Sequence, residues 1–402
     1  MQFIEFLNQR QNIEKTRNFN VFQNYSLDGL KSVFEHIERS FDQKKPKPIR
    51  ISVVGTNGKG STSHYLACLF SKLGYNTGLY TSPHLLTPLE RLQLVRNGEP
   101  SLPNIEDINL CFQNFFLADL HRYDSLSYFE FLTVFAYRFF HEQNMEVEIW
   151  EAGLGGRLDA TKLVEADYIV LTKIGLDHSA ILGNTKETIC REKLGITGEK
   201  TLSLFAFQEE VETLPESFHN RQRKELVPLH VISIPPKESY LETNFLYAKN
   251  IVSKILKEQQ SSVSKIPYVS IQKPKGRMEV LSTKPIVVFD PSHNPDAIRT
   301  TSLEFANHHR KFHVVLGSLP DKDLAGILNA LPEPNLENLI LWEGEGFGRF
   351  PAPSGKLKER TIRHSSLPGL VPLFQGEIPV LVLGSFRLYG IVANLIQNTI
   401  KM

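Results

Sequence analysis

Short apolar runs alternate with longer amphipathic segments along the first two thirds of the chain. The apolar runs are rich in β-branched residues, as buried strands are, whereas the longer segments repeat their apolar residues at helical spacing. We predict strands at Ile51–Val54, Thr77–Tyr80, Val147–Trp150 and Tyr168–Leu171. We predict helices at Ser61–Leu73, Glu106–His121, Ser127–His141 and Thr185–Leu194. This alternation indicates an α/β fold whose mostly parallel sheet is covered by helices.

The pattern becomes less regular between residues 200 and 240, and it restarts near residue 276. A predicted helix at Glu242–Lys257 precedes the segment Ser270–Arg277, whose proline, glycine and charged residues are typical of a linker. Beyond it we predict strands at Ile286–Phe289, Phe312–Leu316, Leu339–Trp342 and Val380–Leu383, and helices at Pro295–Asn307, Leu324–Leu331 and Phe386–Gln397. We therefore expect two domains, residues 1–273 and residues 274–402.

Composition narrows the class of protein. A chain of 402 residues exceeds one ordinary core, which agrees with two domains. Its 45 Lys and Arg residues against 44 Asp and Glu give no electrostatic reason to expect nucleic-acid or membrane partners. The 3 cysteines suit neither a disulfide framework nor a zinc site. Glu130 and Arg138 interrupt the most apolar region, so it is no membrane span. We expect a cytoplasmic monomer.

The segment Val53–Thr62, VVGTNGKGST, follows a predicted strand and precedes a predicted helix. Fewer residues separate its first glycine from its Gly-Lys pair than in the usual phosphate-binding loop. Its glycines would let backbone N–H groups approach phosphate oxygens, Lys59 would supply positive charge, and Ser61 lies where the helix begins. A glycine-rich turn with one exposed lysine is the structural alternative. The coincidence of these residues at a strand–helix junction favours nucleotide binding.

Other predicted strands of this sheet also end in polar residues. Glu151 ends the strand of VEIWEAGLGGRLDAT, Val147–Thr161, where P-loop enzymes place an acidic partner of Mg²⁺. His178 and the segment Thr81–Leu85 follow two further strands. Magnesium prefers oxygen ligands, so a histidine ligand would indicate a second, less typical metal position. Each residue alone is explained equally well by a capping, turn or ion-pair role.

A further polar cluster lies in the predicted second domain. The segment VVFDPSHNPDAI places Asp290 at a strand end and His293 just before a helix. This domain has no phosphate loop of its own, so the cluster is a candidate for contacts with the base or ribose of a nucleotide.

Six motifs occur in an order that resembles folylpolyglutamate synthase/dihydrofolate synthase, within the Mur ligase superfamily. They are GTNGKGST, TSPHL, AGLGGRLDAT, GLDH with LGNT and REKLGI, KGRMEV, and FDPSHNP. The resemblance covers about residues 50 to 330, with a weaker match at Val382–Phe386. It implies a P-loop ATPase domain with a mostly parallel sheet, followed by a smaller Rossmann-like α/β glutamate ligase domain.

The resemblance also implies a reaction. A substrate carboxylate would attack the γ-phosphate of ATP, and the amino group of L-glutamate would then attack the resulting acyl phosphate and expel phosphate. The carboxylate would belong to dihydropteroate or to a reduced folate. Phosphorylation is needed because an amine cannot displace an unactivated carboxylate oxygen. The implied partners are therefore these small molecules, with Mg²⁺ to screen the phosphate charge.

Residue roles follow from the matching motif positions. The implied ATP-binding residues are Gly58, Lys59, Gly60, Ser61, Asn244, Arg277 and Asp290. Phe129 and Asp159 would lie at the folate or pterin, Ser82 and Glu151 would hold one Mg²⁺, and His178 a second. The expected catalytic residues are Lys59, Lys193 and His293. Lys193 matches a lysine that the family carbamylates, although the residue pattern alone predicts a lysine on a helix surface.

Two departures and two alternatives accompany this resemblance. Lys162 stands where the family has asparagine after DAT, and YLETNF lacks the usual HQ before Asn244.

A Mur-type cell-wall amino-acid ligase is the alternative within the superfamily, but KGST and GLGGRLDAT are of the folate type. A P-loop regulatory NTPase is the other alternative, and it would not need the Asp290–His293 cluster or two metal positions.

Overall fold

The computed structural model describes residues 1–16, 25–215, 227–259 and 271–400. The chain divides into two compact units, and both are discontinuous in sequence. The first unit comprises Met1–Pro83, Pro88–Pro235 and Asn244–Gln272. The second comprises His84–Thr87, Pro236–Thr243 and Lys273–Met402.

The first unit contains an eight-stranded sheet and the helices that cover it. Its helices are α1 (Phe3–Asn8), α2 (Ile13–Thr16), α3 (Asp28–Arg39), α4 (Lys59–Lys72), α5 (Ile105–Phe115), α6 (Tyr128–Glu142), α7 (Ser179–Leu182), α8 (Lys186–Leu194) and α9 (Tyr240–Glu258), whose first turn belongs to the second unit. Its strands are β1 (Ile49–Val54), β2 (Thr77–Tyr80), β3 (Leu92–Arg96), β4 (Glu99–Ser101), β5 (Val147–Glu151), β6 (Tyr168–Leu171), β7 (Ser203–Phe207) and β8 (Leu229–Ile232). Short 3-10 helices lie at Pro88–Arg91, Leu117–Tyr123, Ala160–Val164 and Gln208–Thr213.

The strand order of this sheet is β4-β3-β2-β5-β1-β6-β7-β8. The strands from β2 to β8 in this order are parallel, and β3 and β4 extend one edge in antiparallel pairing. In register, Val53 of β1 lies between Glu151 of β5 and Val170 of β6. The carboxyl ends of parallel strands share one edge of a sheet, so the loops after β1, β2, β5 and β6 meet there.

Alternate residues of the strands supply the two faces of the sheet. On one face Tyr80 and Trp150 join a buried aromatic cluster with the first helices and α6, and the rings of Phe3 and Phe135 lie 4.1 Å apart. On the other face Leu79 and its neighbours pack against α4 and α9. Central strands buried on both faces explain why their sequences are continuously apolar.

The second unit contains a six-stranded sheet in the order β13-β12-β11-β14-β10-β9. Its strands are β9 (Glu279–Thr283), β10 (Ile286–Phe289), β11 (Phe312–Leu316), β12 (Leu336–Trp342), β13 (Thr361–His364) and β14 (Val380–Leu383). Its helices are α10 (Pro295–His308), α11 (Leu324–Asn329), α12 (Val371–Gln375) and α13 (Arg387–Ile400), with 3-10 helices at Glu333–Asn335, Gly355–Arg360 and Leu367–Leu370. Only the edge strand β9 pairs in antiparallel fashion among the described strands of this sheet.

The predicted α/β class with a mostly parallel sheet is confirmed. The helix predicted at Glu106–His121 is too long: α5 ends at Phe115, and a 3-10 helix follows with a non-helical Asp119. The interval from 200 to 240, expected to be less regular, contains β7 and β8. Ser270, the first residue of the predicted linker, lies outside the described residues. No helix in the described part of the chain has the length and apolarity that crossing a lipid bilayer requires.

Candidate active site

The loop after β1 is pinned to the segment after β6. The backbone N–H groups of Thr56 and Asn57 both donate to the carbonyl oxygen of Lys173, at 2.9 and 3.1 Å. Gly55 has a φ of 149°, and a Cβ there would overlap sterically with the Thr172 hydroxyl oxygen. Any side chain at residue 55 would therefore push the loop away from β6.

The loop leads into the first turn of α4. Gly58 has a φ of 88° and precedes Lys59, the first residue of this 14-residue helix. The helix N-terminus offers unpaired backbone N–H groups and a favourable dipole to an anion. A Cβ at Gly58 would lie 3.1 Å from Oδ1 of Asn244, so two of the predicted ATP-binding residues are neighbours. Gly60 and the buried Ser61 complete this turn.

Lys59 folds back over the loop. Its Nζ donates to the carbonyl oxygens of Gly55 at 3.1 Å and Thr56 at 3.4 Å. These neutral acceptors hold the ammonium beside the helix N-terminus, where a phosphate would be a stronger, charged acceptor.

The structure brings Ser82 and Glu151 together. Glu151 ends β5 and is 4% exposed, and the backbone N–H of Ser82 donates to its Oε2 at 3.2 Å. Because β5 lies between β2 and β1, this carboxylate is at the sheet edge from which the phosphate loop also emerges. Carboxylate and hydroxyl oxygens at this place are suitable ligands for Mg²⁺.

His178 is the N-cap residue that precedes α7, with a φ of 53°, and it contacts its neighbour Asp177. The His178 backbone N–H donates to Asp177 Oδ1 at 2.9 Å, and its imidazole Nε2 lies 3.9 Å from Asp177 Oδ2. Asp177 has no assigned role in the sequence-based interpretation, although it immediately precedes His178.

Lys193 is buried, so the residue-pattern prediction of a surface lysine is wrong. It lies in the last turn of α8 and is 5% exposed. Burial and, secondly, the charge of Lys59 lower the pKa of Lys193 to about 7, although Asp177 and Asp159 act in the opposite direction. Lys59, Asp177 and Asp159 therefore all act electrostatically on the buried ammonium.

The glycine-rich loop after β5 explains this burial. A Cβ at Gly156 would overlap sterically with the Lys193 carbonyl oxygen, and a Cβ at Gly195 would lie 2.5 Å from Arg157 Cβ. The Arg157 backbone N–H donates to the Glu192 carbonyl oxygen at 2.9 Å. The C-terminal turn of α8 thus packs directly on this loop, which carries Lys193 inward.

Phe129 and Asp159 both lie close to Gly153. A Cβ at Gly153 would be 2.8 Å from Phe129 Cζ and 3.4 Å from Asp159 Oδ2. The Asp159 carboxylate accepts hydrogen bonds from Leu154 N at 2.9 Å, and from Thr161 N and Oγ1 at 3.0 and 2.6 Å. Burial raises the pKa of Asp159. Asp159 therefore organises the loop that borders Phe129.

Tyr25 was not identified from the sequence. Its hydroxyl donates to Glu130, whose other oxygen accepts a hydrogen bond from Ser127 N at 2.7 Å in the capping box of α6. Burial raises the pKa of Tyr25, and the charges of Glu130 and Asp159 raise it further. No local pattern links Tyr25 with Glu130, because 105 positions separate them along the chain.

Within the second unit, Asp290 is an internal hydrogen-bond acceptor. It is fully buried and accepts from Ser292 N at 3.0 Å, Ser292 Oγ at 2.6 Å, Met278 N at 3.0 Å and the Tyr240 hydroxyl. These donors engage both carboxylate oxygens. Asp290 therefore orders the segment that contains Arg277.

Arg277 and His293 are held by other contacts of the second unit. The Arg277 guanidinium lies 5.0 Å from the centre of the Phe386 ring. His293 Nδ1 lies 2.9 Å from the Pro291 carbonyl oxygen, and the following residue, Asn294, caps α10 by accepting from Ala297 N at 3.0 Å.

The side chains suit a metal that arrives with phosphates. Across the four described ranges, no group of three or more His, Cys, Asp or Glu side chains is arranged to hold a metal ion. Mg²⁺ is usually held by one or two carboxylates together with substrate phosphates and water. Glu151 with Ser82 fits this requirement.

Comparisons with known proteins identify one set of relatives. The family described as "Mur ligase, glutamate ligase domain" matches residues 276–355. The dihydrofolate synthase/folylpolyglutamate synthase of Buchnera aphidicola subsp. Acyrthosiphon pisum is 30% identical over 338 residues, which cover 76% of this chain and 77% of that protein.

Solved structures agree with the sequence relatives. Escherichia coli FolC in complex with DHPP and ADP has a TM-score of 0.77 at 25% identity, covering 99% of this chain and 98% of that one. A bifunctional folylpolyglutamate synthase/dihydrofolate synthase with Mn, AMPPNP and L-glutamate bound has a TM-score of 0.69 at 26% identity, covering 93% and 95%. These similarities favour the folate-ligase interpretation over a cell-wall ligase or a regulatory NTPase.

Proposed function

Because this chain belongs to the dihydrofolate synthase/folylpolyglutamate synthase family, we infer that the site at the edge of its first sheet performs that family's reaction. The protein is an ATP-dependent ligase that adds L-glutamate to dihydropteroate, to reduced folates, or to both. The observation that carries this conclusion is the convergence of the phosphate loop and the Ser82–Glu151 pair at neighbouring strand ends, together with the buried Lys193 of α8, whose pKa the charge of Lys59 lowers.

We propose that Lys59 exchanges its present acceptors for ATP phosphate oxygens. Its contacts with the Gly55 and Thr56 carbonyl oxygens keep the ammonium close to the α4 N-terminus, so only a small side-chain movement is required. With Gly58, Gly60 and Ser61, it would compensate the charge that develops as the γ-phosphate passes to the substrate carboxylate. The amino group of L-glutamate then attacks the acyl phosphate carbon, and phosphate leaves with both electrons of the broken C–O bond.

We propose that Ser82 and Glu151 hold one Mg²⁺ and that His178 contributes to a second position. Bound metal would supply positive charge that screens the phosphates. Glu151 suits this role because its buried carboxylate accepts from Ser82 N in a geometry that fixes its orientation. Asp177 would help to position His178, since its Oδ1 accepts a hydrogen bond from the His178 backbone N–H.

We propose that Lys193 acts as a carbamate. A pKa of about 7 leaves a substantial fraction of the side chain as neutral amine, which is the form that attacks CO₂. The product is an anion, which Lys59 would stabilise and a bound metal would accept as an oxygen ligand. An unmodified cation buried beside Lys59 would instead add to the positive charge that the site must accommodate.

The remaining assignments concern the nucleotide, the folate and the reacting groups. Asn244 beside Gly58 supports a contact with ATP. We propose Arg277 and the loop ordered by Asp290 as further ATP contacts, and His293 as a catalytic residue. Phe129 and Asp159, together with Tyr25, would border the pterin.

We also propose that the enzyme is a cytoplasmic monomer. All three cysteines, Cys68, Cys111 and Cys190, are buried thiols, as is usual in a reducing compartment. Light scattering after size-exclusion chromatography would measure the mass in solution, and a stable dimer would contradict the monomer.

The test of the function is product formation. The protein is incubated with ATP, Mg²⁺ and L-glutamate, and with dihydropteroate or tetrahydrofolate in separate reactions, and the products are identified by mass. We expect one added glutamate residue in at least one reaction, with stoichiometric release of ADP and phosphate. ATP hydrolysis that is independent of both the carboxylate and L-glutamate would contradict the ligase and favour the regulatory NTPase.

A further inference from the structure

The division between the two units falls within the first turn of α9. Residues Pro236–Thr243 belong to the second unit, and residues Asn244–Gln272 belong to the first. The helix itself runs without interruption from Tyr240 to Glu258. Contacts that fix the orientation of its first turn therefore also act on the residues of the next turn.

Two buried carboxylates of the second unit hold this first turn. The Tyr240 hydroxyl donates to Oδ2 of Asp290, and the Tyr240 backbone N–H donates to Oε2 of Glu304 in α10 at 3.0 Å. The first N–H groups of a helix have no acceptor inside the helix, so Glu304 satisfies one of them. Hydrogen bonds to a charged acceptor are stronger than those between neutral groups, and both contacts of Tyr240 are of this kind.

Asp290 is a fixed point for the Tyr240 hydroxyl. Its Oδ1 accepts from the N–H and the hydroxyl of Ser292, and its Oδ2 accepts from Met278 N as well as from Tyr240. A carboxylate has about four lone-pair sites, so these four donors engage the whole group. The loop after β10 and the start of α9 are thereby joined through one carboxylate.

Asn244 lies one helical turn after Tyr240 and meets the phosphate loop. Residues four apart in a helix share a face and are about 6 Å apart along its axis. Asn244 is buried, and a Cβ at Gly58 would lie 3.1 Å from its Oδ1 and 3.4 Å from its Nδ2. Gly58 immediately precedes Lys59, where α4 begins. A small tilt of the first turn of α9 would therefore move the Asn244 amide relative to the loop proposed to bind ATP phosphates.

We propose that Tyr240 is a positioning residue for ATP: its hydrogen bond to Asp290 fixes the first turn of α9 and so holds the Asn244 amide against the phosphate loop. This inference rests on the proposed function and adds a residue on which its ATP site depends. Tyr240 begins YLETNF, the segment that lacks the usual HQ, and the motifs assign it no role. Because Tyr240 acts through Asn244, its loss should weaken the binding of ATP and leave the binding of L-glutamate unchanged.

The experiment compares Tyr240→Phe, Asn244→Ala and the double variant with the wild-type enzyme. Phenylalanine keeps the ring and removes only the hydroxyl. We expect Tyr240→Phe to raise KM for ATP about tenfold, because a hydrogen bond to a charged acceptor is lost, with kcat and KM for L-glutamate nearly unchanged. Glu304→Ala removes the other attachment of the first turn and should change KM for ATP in the same direction.

The double variant distinguishes positioning from a general loss of stability. If Tyr240 acts through Asn244, Tyr240→Phe should have almost no further effect on KM for ATP once residue 244 is alanine. Tyr247→Phe is the matched control, because Tyr247 also lies in α9 and its buried hydroxyl donates to the Leu171 carbonyl oxygen at 2.8 Å. This control should retain KM for ATP. An unchanged KM in Tyr240→Phe, or an equal rise in the Asn244→Ala background, would overturn the proposal.

Calorimetric binding of ATP with Mg²⁺ separates this inference from the proposed function. Product formation by the wild type, together with equal ATP affinities of the wild type and Tyr240→Phe, would overturn the positioning role and leave the ligase function intact. If the wild type forms no product, weaker ATP binding by Tyr240→Phe than by Tyr247→Phe would still support the positioning role. Equal affinities of these two variants would overturn it.

Discussion

Gly156 lies so close to the Lys193 carbonyl oxygen that a Cβ at residue 156 would overlap sterically with this oxygen. This contact joins the glycine-rich loop after β5 to the last turn of α8 and removes the Lys193 side chain from solvent. The close contact at Gly156 and the lowered pKa of Lys193 therefore have the same structural origin.

Gly156→Ala tests this feature. We expect the added methyl group to displace α8, lowering the free energy of unfolding by about 1–3 kcal/mol, as overpacking does, and abolishing most ligase activity. Urea denaturation and product formation are the measurements. Gly29→Ala in α3 is the control: nothing lies within 4 Å of its Cβ, so helix propensity should stabilise that variant slightly. Equal stability and activity of the two variants would refute the contact.

The pKa of Lys193 predicts how activity depends on CO₂ and pH. Protonation below about pH 7 removes the neutral amine, so an enzyme freed of CO₂ should recover activity with bicarbonate at pH 8 much more completely than at pH 6. Lys193→Ala should lose activity and regain a part of it with a short carboxylic acid that supplies the missing anion. Full activity of the alanine variant without any additive would rule out a carbamate.

The same group predicts an effect on stability. Since the folded pKa of Lys193 lies below the ordinary lysine value, the unfolded chain binds more protons between pH 7 and about pH 10, and stability rises with pH across this interval. Without carbamylation, Lys193→Met should be inactive yet more stable by on the order of 3 kcal/mol at pH 7. The gain should shrink toward pH 10. Chemical denaturation at several pH values measures it, and a destabilised variant would contradict the buried, depressed lysine.

Lys59→Ala should leave the fold intact and reduce the ligation rate by about 10²–10³, because a preorganised charge at the phosphates is lost. Lys72→Ala, at the opposite end of α4, is the matched control and should retain its rate. Circular dichroism checks the fold of both variants. Near-normal turnover of a folded Lys59→Ala variant would remove the phosphate-loop assignment.

Glu151→Ala and His178→Ala should each raise the Mg²⁺ concentration required for half-maximal activity. Glu151 ends β5 and His178 follows β6, and both strands neighbour β1, where a metal would meet the phosphates. Magnesium titrations with a fixed excess of ATP provide the measurement, and thermal unfolding without metal shows whether either variant is simply misfolded. If the Mg²⁺ titrations of both variants equal that of the wild type, neither residue holds a metal and both have a structural role.

Local sequence was sufficient for the strands β1, β2, β5, β6, β10, β11, β12 and β14, but it missed β3, β4, β7, β8, β9 and β13. Tyr168–Leu171 was predicted with its observed bounds because a strand buried on both faces of a parallel sheet is continuously apolar. The helix predicted from Ser127 begins at Tyr128, and the Ser127–Glu130 capping box that starts it is a signal contained within four residues. The spacing of Gly55, Gly58 and Lys59 indicated a nucleotide site for the same reason: its geometry is local.

The burial of Lys193 and the hydrogen bond between Tyr25 and Glu130 could not be predicted from local sequence. Both depend on segments that are distant along the chain, and the helical pattern around Lys193 is compatible with a solvated side chain. The pKa of Lys193 is lowered because the side chain is buried where α8 packs closely on Gly156, and because the charge of Lys59, the first residue of α4, acts on it. Periodicity reports which face of an element is apolar, but the electrostatic environment of a side chain is the sum of all groups that folding brings around it.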